Sequence, residues 1–426
     1  MPPTIFPKGV TIYKPEKAYN CFVLFDGRDA KSYLIDMNGN NVKVWNYLGF
    51  PVEMIDPILA NGERGHVIVQ KEPDMFANET LLELDWNGHV VWEWGKKAPG
   101  GKAWQNHDLA RLPNGNTLII SWLVHVVPGL SKKPISDQPM YEIAPNGDIV
   151  WKWIPSEHMD EFGFSTAEAR ELLVSNRIRP TRTHYLGFNN MAPLGPNKWY
   201  KAGDQRFRPE NIMTDSAEGN FIIIIEKKTG KIVWRLGPDY PAAYDDSKKS
   251  FRGKFPRPVD LISGQQDAHL IPEGLPGAGN ILVFDNQRVS GFPPFYLEHF
   301  PGSRVLEIDP ISKEIVWQYD AKGSNMSVWA FFSCFASNAR RLPNGNTLIN
   351  ETMHGRLFQV TPEGEIVWEY VNPHFSRWTS EHATLGVEPV NWIYRAQPIP
   401  YDWVPEGTPH SENPVTPPNL RHLRMK

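Results

Sequence analysis

One pattern recurs six times along this chain and restricts its fold more than any other feature. An alternating stretch runs into a Gly- or Lys-containing turn and returns as a strand that ends near a tryptophan. The copies are YLIDMNGNNVKVW, LLELDWNGHVVWEW, YEIAPNGDIVWKW, IIIIEKKTGKIVWRL, VLEIDPISKEIVWQY and LFQVTPEGEIVWEY. Their shared tryptophans are Trp45, Trp92, Trp151, Trp234, Trp317 and Trp368. Alternation with a period of two puts successive side chains on opposite faces of a strand. The NG, DG, TG or EG steps supply the turn residues of a tight hairpin. Each copy therefore reads as a β-hairpin.

A second pattern precedes several hairpins: LPNGNTLIISW (112–122), GAGNILVFDN (277–286), LPNGNTLINET (342–352) and, more weakly, GERGHVIVQ (62–70). Each is a turn feeding another strand. Ahead of the turn lies one more strand start, in HDLARL, NNMAPL, QDAHLI and SNARRL. One repeat is thus four strands, and an array of four-stranded units is the mark of a β-propeller. Six hairpins mean six blades. The first hairpin lacks an upstream inner strand. The run NWIYRAQPIP (391–400) supplies one and closes the ring, which removes the exposed edges of a linear array.

The expected fold is all-β: a six-bladed β-propeller of four-stranded antiparallel blades over residues 1–405, closed by the C-terminal strand. One short helical insertion is expected at about 154–182, where STAEARELLVSN carries apolar residues at helical spacing. Residues 406–426 read as a polar, loosely held arm. The shared tryptophans are expected to pack between blades. Residues 236–262 and 286–303 are Pro/Gly-rich loops, and loops on one face of a rigid scaffold commonly carry function.

Composition excludes several classes of partner. The formal charge of −4 leaves no basic footprint for nucleic acid. No block of like charge suits a membrane surface, and no window approaches the roughly 20 apolar residues of a membrane span. The N-terminus, MPPTIFPKGVTIYKPEKAYN, carries no apolar run of signal-peptide length, so a cytoplasmic location is expected. Cys21 and Cys334 form neither a disulfide framework nor a metal-site spacing. The expected partner is a small-molecule substrate, aromatic or anionic. Oligomeric state is not legible in the sequence.

The inner strands of a propeller line its channel, and their first residues ring one mouth. Aligned on the following turn, His107, Asn189, Gln266 and Ser337 fall at one level. Asp108, Asn190, Asp267 and Asn338 fall at the next. Because a strand alternates its faces, one level is expected to face the channel. The His/Asn/Gln/Ser level is the expected site. The other level is expected to tie neighbouring blades, since buried polar groups must find partners. His184, His354 and His382 are expected near the same mouth, and His269 shares the face of Asp267. Arg182, Arg288 and Arg395 are candidate cations, of a type that suits sulfate, phosphate or carboxylate. Arg288 is expected in a surface ion pair instead.

The strings NHDLARLPNGNTLI, QQDAHLIPEGLPGAGNILVFDN, ARRLPNGNTLINET and GRLFQVTPEGEIVWEY resemble the arylsulfotransferase family, from about residue 10 to 405. The resemblance implies a six-bladed propeller with its active site in the channel. There a histidine takes the sulfuryl group of an aryl sulfate and passes it to a phenol, without a cofactor. It also implies roles. His107 matches the family's first channel histidine, Asn189 a channel asparagine, and Ser337 a small hydroxyl residue. Gln266 falls where the family has its nucleophilic histidine, and Ala217 where it has a channel arginine. Gly187 replaces a paired histidine, with His184 three residues earlier. The candidate catalytic residues are therefore His107, His269 and His184. Asn189, Gln266, Ser337, His354, Arg182, Arg395 and His382 are candidate substrate contacts.

Glutamine cannot form a sulfohistidine, so His107 or His269 must replace the lost nucleophile if sulfuryl transfer survives. Two other readings stand beside it. One is a lyase or hydrolase with a histidine base, or with a divalent metal held by three of His107, His184, His269, His354 and His382. The other is a ligand-binding propeller without catalysis.

Overall fold

In the computed structural model the chain closes into a ring of six antiparallel, four-stranded blades. The structure describes residues 7–73, 78–167, 169–170, 185–238, 244–245, 250–251, 262–288, 290–291, 302–376 and 389–417. The inner strands are Ala396–Ile399, Leu48–Met54, Gln105–Arg111, Phe188–Pro193, Gln266–Leu270 and Asn338–Arg341, for blades 1 to 6 in order.

Ring closure follows the sequence expectation. The strand Ala396–Ile399 pairs with Phe22–Gly27, with Ala396 opposite Phe25 and Ile399 opposite Phe22. A second closure was not legible. Gly9–Tyr13 adds a fifth strand outside blade 6, with Gly9 opposite Val371 and Tyr13 opposite Trp368. GVTIY has no hairpin partner nearby in sequence, so only long-range pairing reveals it. The arm beyond residue 405 is held rather than loose up to residue 417. Tyr13 and Val415 exchange two backbone hydrogen bonds of 2.9 Å, and the His410 ring stacks on Tyr401 at 4.1 Å.

The core is divided among the blade interfaces. One apolar cluster joins blades 3 and 4 through Ile120, Trp153, Phe188 and Phe221, and comparable clusters fill the other interfaces. Second strands such as Thr117–Ser121 and Phe221–Ile225 are buried along their whole length, because a neighbouring blade covers each face. That is why LIIS and FIIII run apolar without alternation.

The tryptophans latch the blades. Trp92 donates its indole N–H to Pro145 O of the next blade at 3.1 Å. Trp151 donates likewise to Lys227 O at 2.9 Å, and Trp234 to Pro310 O at 2.8 Å. Trp317 reaches Pro362 O, and Trp368 reaches Met37 O, both at 2.8 Å. Each acceptor lies in the hairpin turn of the following blade. Trp45 meets Trp86 of blade 2 edge-on at 6.0 Å instead. Replacing buried Trp234 by phenylalanine leaves Pro310 O without its donor. It should cost about 2 kcal/mol in urea unfolding. An unchanged midpoint would refute the latch.

Helix is scarce. Pro155–His158 is a 3-10 turn, and Lys198–Lys201 is a single α-turn that the sequence reading missed. Residues 171–182 of the expected helical insertion lie outside the described residues. Among the described residues no helix is long and apolar enough to cross a membrane.

The topology concentrates the long connections. Those after Ser121, Trp153, Leu236, Asp285 and Val371 all open on the face where the inner strands begin. The candidate residues that begin the inner strands are on that face.

Candidate functional site at the channel mouth

The inner strands do not begin as regular strands. His107, Asp267 and Ser337 have φ of 66°, 64° and 81°, a left-handed backbone that non-glycine residues rarely adopt. Pairing registers shift at the same places, between Ile119 and Ser121 and between Gln266 and His269. These bulges break the strict alternation assumed from sequence. Consecutive side chains, such as those of His107 and Asp108, can then both turn toward the axis, at different heights. Asp108 and Asp267, of the level expected to tie neighbouring blades, line a cavity with Arg340 and Arg395.

Around His107, which the register puts at one level with Asn189, Gln266 and Ser337, stand two aromatic residues that it did not predict. Phe50 starts the corresponding turn of blade 2, and Tyr394 precedes the closing strand. Phe50 lies 5.2 Å from the His107 ring and 4.2 Å from Tyr394, centroid to centroid. The Tyr394 hydroxyl donates to His107 O at 3.0 Å and lies 3.4 Å from Asn189 O. One side chain from blade 1 thus reaches blades 3 and 4 and braces the strained backbone at His107. Burial pushes the Tyr394 hydroxyl well above its usual pKa, so it stays a donor.

The side-chain amides of Asn189 and Gln266 make no hydrogen bond among the described residues; both residues are nearly buried, but their amide atoms are not shut away. Ser337 is committed, since its Oγ accepts from Thr352 N at 3.1 Å.

The next level of the register carries a chain of charge. Arg395 pairs with Asp108, and lies 3.5 Å from Asp267. Arg340 grips Asp267 with both guanidinium nitrogens, the Nη2 contact being 2.9 Å. Burial opposes ionisation of Asp267, but Arg340 and Arg395 outweigh it and hold the carboxyl below its ordinary range. His269 falls at the same register as Arg340 and Glu53. Its Nδ1 is 2.8 Å from Asp267 O and 3.2 Å from Arg340 Nη1, while its buried Nε2 has no partner. Burial, reinforced by Arg340, pulls its pKa down to about 4, so the ring is neutral.

The blade ties expected at the second level are present. Asp108 accepts from Met191 N at 2.8 Å. Asn190 donates to Ala268 O at 2.5 Å, and Asn338 exchanges bonds of 2.8 and 2.9 Å with Ala396. Each joins adjacent blades. Asp108 and Asp267 carry the ion chain as well.

The other candidates are placed as follows. His354 sits in a turn of blade 6 with Nδ1 3.0 Å from Glu351 Oε1. Arg395 is engaged by Asp108 and Asp267, with its guanidinium 5.8 Å from the centre of the Tyr394 ring. Arg288 pairs at 3.0 Å with Glu218, which is buried, so this is not the surface pair expected. His184, Arg182 and His382 lie outside the described residues. No cluster of three His, Cys, Asp or Glu side chains among the described residues could hold a metal ion. Phe50, Tyr394, Arg340 and Glu53 were missed. Tyr394 had a signal, since it immediately precedes Arg395 in NWIYRAQPIP. The blade 2 strand LGFPVEM lacks the polar pair that marked the other inner strands.

The model of the arylsulfotransferase (ASST) family matches residues 10–372. No curated protein sequence matches the chain significantly. Among solved structures, a Bacteroides caccae protein of unknown function is 12% identical with a TM-score of 0.47. That match covers 89% of this chain and 99% of the other. Virginiamycin B lyase from Staphylococcus aureus is 11% identical with a TM-score of 0.37, covering 82% of this chain and 84% of the lyase. These scores are too low to bear on chemistry.

Proposed function

Since this chain belongs to the arylsulfotransferase family, we propose that it is a transferase acting on a small aromatic, anionic substrate at the channel mouth, with His107 as its working imidazole. The observation that supports this most is the grouping of His107 with the Phe50 and Tyr394 rings, the latter also reaching the backbone of Asn189. Phe50 and Tyr394 offer a surface for an aryl ring. The Asn189 and Gln266 amides offer N–H donors for sulfuryl oxygens.

In the sulfuryl reading, a His107 ring nitrogen attacks sulfur through its lone pair as the S–O bond to the aryl oxygen breaks. The bond electrons leave with the phenolate. An acceptor phenol then attacks the same sulfur, the N–S bond breaks, and the phenolic proton passes to solvent or to the released phenolate. Gln266 serves as a donor in this scheme, not as the nucleophile. His269 is less suited to the attack, because its ring lies between Asp267 and Arg340.

The test is 4-nitrophenyl sulfate with and without a phenol acceptor, followed by nitrophenolate release. Acceptor-dependent release that survives His269→Ala is the expected result. No release from folded protein would reject sulfuryl transfer. Tight binding of the ester without turnover would mark a ligand-binding propeller.

A further inference from the structure

We propose that the lower channel is a second ligand site, built for a small oxyanion and separate from the mouth. A cavity of about 200 Å³ lies there, bounded by Glu53, Asp108, Asp267, Arg340 and Arg395. None of Phe50, His107, Asn189, Gln266, Ser337 or Tyr394 lines it. A water takes up roughly 30 Å³ of liquid volume. The space therefore exceeds one water and suits a tetrahedral ion or a short carboxylate with a few waters.

Its uncommitted groups are donors. Among the described residues no hydrogen bond uses the Nε–H of Arg340 or of Arg395. Neither nitrogen is shut away from the cavity, since neither is among the buried unpartnered atoms. The aspartate oxygens, by contrast, are taken. Asp108 accepts from Leu109 N, Met191 N and Arg395, and both oxygens of Asp267 accept from Arg340, with Arg395 3.5 Å away. Glu53 makes no hydrogen bond among the described residues. Burial pushes its pKa up to about 8, with Asp108 adding to the shift and Arg395, Arg340 and Arg111 opposing it. At neutral pH it is an uncharged O–H donor. Two arginines, two aspartates and a neutral Glu53 sum to zero charge, with no open carboxylate to receive a cation. An anion finds guanidinium edges and an acid proton in a cavity walled partly by Val52, Leu109 and Met191. Charge-assisted bonds are strongest where water is sparse.

Sulfate, phosphate and a short carboxylate share this chemistry, and the experiment separates them. Inorganic sulfate, inorganic phosphate and acetate are titrated calorimetrically into the full chain at pH 7 and pH 9. An ionised Glu53 repels the anion, so binding should weaken as pH rises through about 8. About a tenfold loss at pH 9 is expected for a group titrating there. Glu53→Gln keeps a neutral donor and should bind equally at both pH values. Arg340→Gln should abolish binding. If that variant unfolds, the Glu53→Gln comparison alone carries the test. Saturation by acetate only would identify a carboxylate site, and saturation by sulfate or phosphate an inorganic-oxyanion site. The proposal is overturned if none of the three anions saturates at millimolar concentration, or if wild-type binding does not change with pH. Loss of binding in Gln266→Ala with retention in Arg340→Gln would assign the anion to the mouth and overturn it too. Failure of aryl-sulfate turnover leaves this inference standing, since it draws on different residues.

Discussion

Arg395→Met is expected to destabilise the ring by about 3–5 kcal/mol. Methionine keeps most of the side-chain volume but removes the charge that sits between Asp108 and Asp267. Both carboxyls are buried, and breaking a buried ion pair by deleting one partner leaves an uncompensated charge. Arg340 still holds Asp267, so Asp108 bears most of the loss. Arg395 also immediately precedes the strand that closes the propeller, beside Tyr394, so the damage falls on closure. Urea unfolding of wild type, Arg395→Met, Asp108→Asn and the double variant forms the test cycle. The double variant should be more stable than the sum of the two single losses implies. A loss below about 1 kcal/mol, in the range of exposed ion pairs, would refute the account.

His107→Ala is expected to lower acceptor-dependent nitrophenolate release on the order of a thousandfold, with the fold intact by circular dichroism. Removing the group that forms a covalent intermediate costs far more than removing a binding contact. Tyr394→Phe should cost less, about tenfold, and should act on turnover more than on substrate affinity. It keeps the ring against Phe50 but frees the His107 carbonyl. Gln266→His is the informative companion. It puts an imidazole where the family's nucleophile stands, and it should restore release to the His107→Ala background if the two positions address the same sulfur. Undiminished release in His107→Ala would remove His107 from the chemistry and turn attention to His269.

Six blades were legible because each hairpin is a local object. Turn residues, alternation and the terminal tryptophan lie within about fifteen residues of one another, and closeness in sequence makes closeness in space nearly automatic. The inner-strand register was legible for a similar reason, since LPNGNTL-type turns mark the end of each strand. Ring closure by residues 391–400 could be inferred by counting, because blade 1 lacked a strand.

Other features had no local signature. Gly9–Tyr13 looks like any short strand until Ile366–Val371 accepts it. The pairing of Arg395 with Asp108 joins residues 287 positions apart, and nothing in RAQPIP distinguishes a substrate-facing arginine from an ion-paired one. The neutral state of Glu53 depends on burial and on Asp108 beside it. The sequence by itself determined the number of blades, their strand order and the residues that begin each inner strand, since these follow from short-range pattern. The tertiary structure alone decided which charges meet and which amides make no hydrogen bond among the described residues. Those depend on bulged, left-handed strand starts and on contacts across the channel between blades far apart in the chain.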